Sequence, residues 1–289
     1  MNRILIVLIL LFSFSCKETK KESAEDSTSK NEIKTEIKLY AFDGGTVMAN
    51  NLNLFAQGDT YKGESKELSD AFFVIEHPKG TLLWDTGLPE MLVGNEPYTT
   101  PDGGFTISRK DSTLQQLKAI GLDSSDIEMI AFSHIHFDHT GGANHFSNAQ
   151  WLLQKTEDNF INSDTIEGNS FYAPESFSKL KDKKILEGDH DVFGDGTVVI
   201  KYYPGHTAGH QALYLNLPNE GPIMLSGDIY HFDKNRENAI VPQFNHDIAE
   251  SEKSIKAFEA FVKEKNARVY IQHDKGNFEL MPKAPKYLN

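Results

Sequence analysis

Residues 133–142 read Ser-His-Ile-His-Phe-Asp-His-Thr-Gly-Gly. His134, His136, Asp138 and His139 therefore fall within six residues, directly after an apolar run. Imidazole nitrogen and carboxylate oxygen are ligand types that Zn²⁺ takes. His134 and His136 sit two apart, so an extended backbone points both to one side. Asp138 and His139 follow as the chain turns, and can face a second ion. Gly141 and Gly142 let the backbone bend tightly around such a site. A solvated polar loop gives no reason for this density of metal-binding side chains.

These side chains need elements to hold them. Residues 37–42 read as a strand ending at Asp43-Gly44-Gly45. Residues 71–76 and 81–84 flank Pro78-Lys79-Gly80, a hairpin signal. Residues 114–120 have helical spacing and stop at Gly121, with Asp111 or Ser112 as N-cap. Residues 127–133 form a buried strand that feeds the histidine cluster. Residues 150–154 and 198–203 are strands, and 212–217 pairs with 223–226 as a second hairpin. Residues 248–262 are amphipathic, with Ile248, Ile255, Phe258 and Val262 on one face. Residues 268–272 form the last strand. Hairpins and few helices, rather than regular βαβ units, predict α+β layers. Two long polar stretches, 88–110 and 157–179, have the length of lids or binding loops.

The motif resembles the His-x-His-x-Asp-His element of the metallo-β-lactamase superfamily. Four further motifs follow the same pattern and order. Asp85 lies in Leu83-Trp84-Asp85-Thr86-Gly87, and His206 in Pro204-Gly205-His206-Thr207-Ala208-Gly209-His210. Asp228 closes Leu225-Ser226-Gly227-Asp228, and His273 lies in Ile271-Gln272-His273-Asp274. The resemblance implies a four-layer αββα sandwich with two zinc ions per chain. It implies one ion on His134, His136 and His206, a second on Asp138, His139 and His273, and Asp228 between them. Two cations that close need a shared anionic ligand to offset their repulsion. Asp85 is implied as a residue that orients a ligand histidine. His210 reads as support for the loop beneath His206, and His77 and His190 as solvated.

Two zinc ions polarise a carbonyl and supply hydroxide at neutral pH, so hydrolysis is the natural chemistry. Residues 37–289 contain no cysteine and no Gly-x-Ser-x-Gly elbow, which leaves a covalent serine or thiol nucleophile without support. Within the superfamily the chain is similar to the N-acyl-homoserine lactone lactonases. Asn53-Leu54-Phe55, Gly227-Asp228, Val241-Pro242-Gln243-Phe244-Asn245 and Gln272-His273-Asp274 carry that similarity. The expected reaction is the opening of an acyl-homoserine lactone, or a related lactone, of the quorum-quenching type. Metal-bound hydroxide would attack, and Asp138 or a nearby group would protonate the leaving alkoxide. That group often places a tyrosine three residues after the bridging aspartate. Here Tyr230 stands two residues on and His231 three, so both are candidate catalytic residues with Asp138 and Asp228. Alternatives are a broad-specificity esterase or phosphotriesterase of the same fold, and a non-catalytic, zinc-stabilised surface binding protein.

Composition narrows the partners. The 289 residues carry 29 basic and 42 acidic side chains, a formal net charge of −13. Such a chain repels nucleic-acid phosphates, whereas a neutral lactone or ester is not repelled. Residues 1–15 combine Arg3 with an apolar run of signal-peptide length, too short to span a bilayer. The single cysteine, Cys16, follows directly and resembles a bacterial lipoprotein lipidation site. Residues 16–36 are rich in Lys, Glu, Ser and Thr and read as a disordered tether. The expected location is the cell envelope through a lipid on Cys16, or secretion without it. Residues 37–289 form the hydrolase domain.

Overall fold

The computed structural model describes residues 36–166 and 168–289. The expected leader and all of the tether before Glu36 lie outside the described residues.

Strand residues alternate between two faces, and here both faces are apolar. In β1 (Lys38–Ala49), Leu39 and Ala41 face one way and Tyr40 and Phe42 the other. A register shift between Asp43 and Gly45 bends the strand, and pairing continues to Ala49. The predicted strand thus runs on through the glycines instead of ending there. Next come β2 (Lys66–His77), β3 (Gly80–Trp84), β4 (Tyr98–Thr99), β5 (Phe105–Ser108), β6 (Met129–Ala131), β7 (Gln150–Gln154) and β8 (Lys183–Leu186). They form one sheet in the order β4-β5-β1-β2-β3-β6-β7-β8. A second sheet holds β9 (His190–Asp191), β10 (Val198–Tyr202), β11 (Gln211–Leu217), β12 (Gly221–Leu225) and β13 (Arg268–Tyr270), in the order β13-β12-β11-β10-β9.

The helices are α1 (Thr113–Leu117), α2 (Phe137–Thr140), α3 (Lys155–Ile161), α4 (Asp233–Glu237), α5 (Ile248–Lys265) and α6 (Lys275–Leu280). Three apolar layers separate four structural ones. Between the sheets, Phe73, Ile75 and Trp84 meet Ile200, Leu213 and Leu225. Outside the first sheet, Phe72, Val74 and Leu83 join Leu117 of α1 and Phe160 of α3. Outside the second, Tyr214 and Met224 join Ile255, Phe258 and Val262 of α5. Phe258 is fully buried, so Phe258→Ala removes about 3–5 kcal/mol. Ile248, placed on the same stripe by its spacing, is exposed at the start of α5. This is the αββα arrangement with two mixed sheets.

The first sheet is less antiparallel than the hairpin signals predict. β3, β6, β7 and β8 run parallel, as do β12 and β13 across α5. Within the first sheet the connections between the parallel strands are short helices and 3₁₀ turns, whose weak periodicity hides the crossovers. Helix α1 starts at Ser112, whose hydroxyl and Gln115 form a reciprocal capping box. His77 is buried rather than solvated: its ring stacks on Phe193 at 4.1 Å and its Nε2 lies 3.2 Å from Asp195.

Parallel order brings strand ends together. β3 and β6 of one sheet, and β12 and β13 of the other, all finish at the same edge of the sandwich. The segments that leave those ends carry Asp85, the 134–139 cluster, Asp228 and His273, and the β10–β11 turn adds His206.

Candidate metal centre

His134 Nε2, His136 Nδ1 and His206 Nε2 form a triangle with sides of 2.8, 3.1 and 3.2 Å. Asp228 Oδ2 lies 3.4 Å from His206 Nε2 and 3.8 Å from His134 Nε2. A tetrahedral Zn²⁺ with bonds of about 2.0–2.1 Å has ligand–ligand edges of about 3.3–3.4 Å. These side chains therefore surround a volume of zinc size. On the other side, His139 Nε2 and His273 Nε2 are 3.2 Å apart, and each lies 3.8 Å from an Asp138 oxygen. Asp228 Oδ1 completes that group at 3.5 Å from His139 and 3.3 Å from His273. One carboxylate thus turns one oxygen to each group, and Oδ1 is buried with no hydrogen-bond partner. A buried anionic oxygen is costly unless a cation or donor meets it. The donor set, all nitrogen and oxygen, fits two divalent ions with Asp228 between them.

Burial, aided by the neighbouring imidazoles, holds His134, His136 and His206 below their ordinary values, His136 at about 3. The neutral ring is the form that offers a lone pair to a metal. Burial also opposes charge on His139 and His273, yet the carboxylates of Asp228 and Asp138 raise both, His273 to about 9. Asp228 pays a burial penalty but is held ionised by His273, His231, His139 and His134 around it.

Three of the ligand imidazoles, His139, His273 and His206, are aimed from behind. Because a carboxylate only accepts, His139 Nδ1–H donates to Asp85 Oδ2 at 3.2 Å. Asp85 Oδ1 accepts from the Ser133 backbone at 2.7 Å, and Gln272 donates to Oδ2 at 2.7 Å. Asp85 adopts φ +59°, a strained left-handed backbone that directs its carboxylate inward. His273 Nδ1–H donates to the Ser69 carbonyl at 2.8 Å, and His206 Nδ1–H to Asn245 Oδ1 at 2.9 Å. His210 donates to the Tyr203 carbonyl and accepts the Asp228 backbone N–H at 2.9 Å, so it supports the loop as its position suggested. Gly141 is required for close approach: a Cβ there would fall on the Leu88 carbonyl.

The two candidates after Asp228 separate. Tyr230 is fully buried against Phe258, and its hydroxyl donates to Glu259 on α5 at 3.1 Å. It faces the helix layer and is removed from the candidate catalytic residues. His231 turns the other way, with Nε2 at 3.0 Å from Asp228 Oδ2. The reason is the one-residue offset in extended chain, which sends successive side chains to opposite sides.

A small chamber covers the cluster, walled by Phe55, Phe105, Phe137, Phe171 and Phe244 with His231 and Asp138. Phe105, Phe137 and Phe171 also line a neighbouring, mostly apolar cavity of ≈ 620 Å³ that residues 89–107 complete. Glu157 and Ser69 escape a reading of the sequence. Each acts through another residue, and a single Glu after a strand carries no motif.

The sequence matches the Metallo-beta-lactamase superfamily over residues 68–273. It is 29% identical over 268 residues to the N-acyl homoserine lactonase AttM of Rhizobium radiobacter, covering 88% of this chain and 99% of that one. A Bacillus thuringiensis AiiA variant with N-decanoyl-L-homoserine at its active site superposes with a TM-score of 0.78 at 28% identity, over 89% and 100% of the two chains. An N-acyl homoserine lactone hydrolase with N-hexanoyl-L-homoserine at its catalytic metal centre gives 0.77, also at 28% identity, over 89% and 100%. By motif, fold and the geometry of its buried histidines and aspartates, the chain belongs to the metallo-beta-lactamase superfamily.

Proposed function

We propose that this protein hydrolyses lactones that carry an acyl chain, of the acyl-homoserine lactone kind, with two zinc ions held by His134, His136, His206, Asp138, His139, His273 and Asp228. The observation that carries the reading is the apolar cavity of ≈ 620 Å³ opening beside the metal cluster through a wall of three shared phenylalanines. Its lining, with Leu92, Tyr98 and Ile107, suits an aliphatic chain. The lactonase names and products of the similar chains support the same class.

When bound, the ions polarise the ester carbonyl and make water acidic enough to act as nucleophile at neutral pH. The phenylalanine wall excludes bulk water, which strengthens electrostatic interactions inside. Asp138, whose carboxylate is part of the chamber wall, is placed to hold a proton and pass it to the leaving alkoxide. Asp228 keeps the two ligand groups at a fixed spacing.

The test is a panel of acyl-homoserine lactones, aryl esters, phosphotriesters and β-lactams on zinc-loaded protein. Preference for the lactones is expected; a higher kcat/KM for a phosphotriester or aryl ester would replace this reading, and hydrolysis of none would favour a binding protein. Asp228→Ala should lose metal and activity together. Full activity with fewer than two metals bound would sink the two-ion reading. We also propose that Cys16 carries lipid and tethers the enzyme to a membrane surface, on the strength of the apolar run before it. Palmitate labelling that persists in Cys16→Ala would contradict that.

A further inference from the structure

Met91 is 79% exposed and Tyr98 50%, two large apolar side chains standing in solvent. Both also line the apolar cavity of ≈ 620 Å³, which places them at its rim. The rim is held in position by the fold. Tyr98 and Thr99 of β4 pair with Ile107 and Thr106 of β5, and Leu92, next to Met91, is buried with Phe105 and Ile107. Among the residues lining the cavity only Glu96 and Asp102 are charged, and both are exposed. Residues 88–108 contain no Lys or Arg. Exposed apolar groups around the opening of an apolar cavity mark a contact surface for a protein or a membrane.

The chain before the domain favours the membrane. It enters at Glu36, and β1 then runs from Lys38 to Ala49, where Ala49 pairs with Phe105 of the cavity. The entry point and the rim therefore lie at opposite ends of roughly 36 Å of strand. Residues 17–36 can reach at most about 70 Å when fully extended. A lipid on Cys16 thus leaves the domain free to turn its rim onto the bilayer that holds it, and such a link keeps even a weak contact at high local concentration.

We propose that the rim around Met91 and Tyr98 docks on a zwitterionic phospholipid surface, so that the cavity opens onto the bilayer and takes its acyl chain from there. Met91 enters the apolar region, and the amphipathic Tyr98 ring sits at headgroup level, where tyrosine is enriched. Phosphatidylcholine and phosphatidylethanolamine carry an ammonium group outermost, and Glu96 and Asp102 face it with opposite charge. An anionic headgroup would meet two like charges and no Lys or Arg to offset them. The inference rests on the acyl-cavity and Cys16-lipid readings above, but the docking is measured without turnover.

The experiment binds the full chain to vesicles of phosphatidylcholine and phosphatidylethanolamine that contain a brominated phosphatidylcholine, which quenches indoles inside the bilayer. Trp84 and Trp151 are buried in the core and form an unquenched background. The fluorescence added by Tyr98→Trp should shift to the blue and be quenched. That added by Tyr287→Trp, at the start of β1 beside Tyr40, should stay unquenched. Met91→Trp is a second probe of the same rim should Tyr98→Trp disturb β4. Met91→Asp added to Tyr98→Trp should abolish the quenching while the chain still sediments with the vesicles. Exchanging the neutral lipids for phosphatidylglycerol should remove most of the quenching. Quenching at Tyr287→Trp alone, at both edges equally or at neither overturns the proposal, as does failure to sediment at millimolar lipid. Stronger quenching on phosphatidylglycerol overturns the choice of a zwitterionic surface. A quenched rim on a protein that hydrolyses no lactone would sink the lactone reading and leave the docking; lactone hydrolysis with an unquenched rim would do the reverse.

Discussion

The carboxylate of Glu157 accepts the backbone N–H of Gly209 at 2.6 Å, tying α3 to the turn that carries His206. Its other oxygen accepts the Thr207 hydroxyl at 2.8 Å and the backbone N–H of Ile135 at 3.2 Å. Ile135 lies between His134 and His136, so one buried side chain fixes both loops of the first ligand triangle. Burial pushes the Glu157 carboxyl up to about 7, against the pull of those three donors. Glu157→Ala strands three donors, each worth about 1–3 kcal/mol when buried without a partner. The expected outcome is a loss of at least about 3 kcal/mol in unfolding free energy and weaker binding of the first zinc equivalent, with Glu157→Gln intermediate. Denaturant melts and a zinc titration check it. An unaltered titration in folded Glu157→Ala would mean that the loops hold themselves.

Asp85 makes a second prediction. Its carboxylate takes hydrogen bonds from His139, Ser133 and Gln272, all fully buried or nearly so. Asp85→Asn keeps the shape but offers one acceptor fewer, so the His139 N–H loses its fixed partner. Metal affinity at the Asp138–His139–His273 group should fall about 10–100-fold, while the His134–His136–His206 group keeps its ion. A stepwise chelator titration resolves the two. Equal weakening of both ions would place the role of Asp85 in general stability.

What the sequence made legible follows from how each residue acts. His134, His136, Asp138 and His139 share one turn, so their density is visible without a fold. His206, Asp228 and His273 are isolated along the chain and became readable only through the order of family motifs. The resemblance reached further than spacing alone, since Asp85 and the stretch around Asn245 came from it. Glu157 and Ser69 stayed hidden because their work is done through carbonyls, backbone N–H groups and long-range packing. Tyr230 shows the limit most sharply: a shift of one residue in extended chain moves a side chain from the chamber to the α5 interface. The parallel half of the first sheet was missed for a related reason, its crossovers being too short to show helical periodicity.

The acyl cavity gives a prediction about chain length. Ile107 lines it on β5, on a strand rather than a loop, so a larger side chain there is held in place. Ile107→Trp should fill part of the ≈ 620 Å³. The expected result is a fall in kcat/KM for a decanoyl lactone of roughly tenfold, from loss of a few buried methylenes' contribution, and little change for a butanoyl one. A uniform loss across chain lengths would place the acyl group elsewhere.

His77 lies far from the metal cluster in sequence register, at the end of β2, and allows a pH test that does not involve a metal ligand. Its Nδ1 accepts the backbone N–H of Lys79 at 3.1 Å, and its ring stacks on Phe193. Both contacts favour the neutral ring, and burial lowers its pKa even though Asp195 at 3.2 Å pulls it upward. In the unfolded chain the imidazole takes up its proton near its ordinary 6.5; in the fold it does so only at lower pH. The unfolded state therefore binds more protons in that window, and stability rises with pH across it. The contribution of His77 is fully present above about pH 6.5 and is lost as the pH falls through the lowered folded value. His77→Phe keeps the stack on Phe193 and removes the titration. The stability difference between wild type and His77→Phe should shift against the wild type on acidification from pH 7.5 to 5, by at most about 1.4 kcal/mol per unit. Urea melts of metal-free protein at each pH measure it, and a difference that does not change with pH would show that the folded and unfolded imidazoles titrate alike.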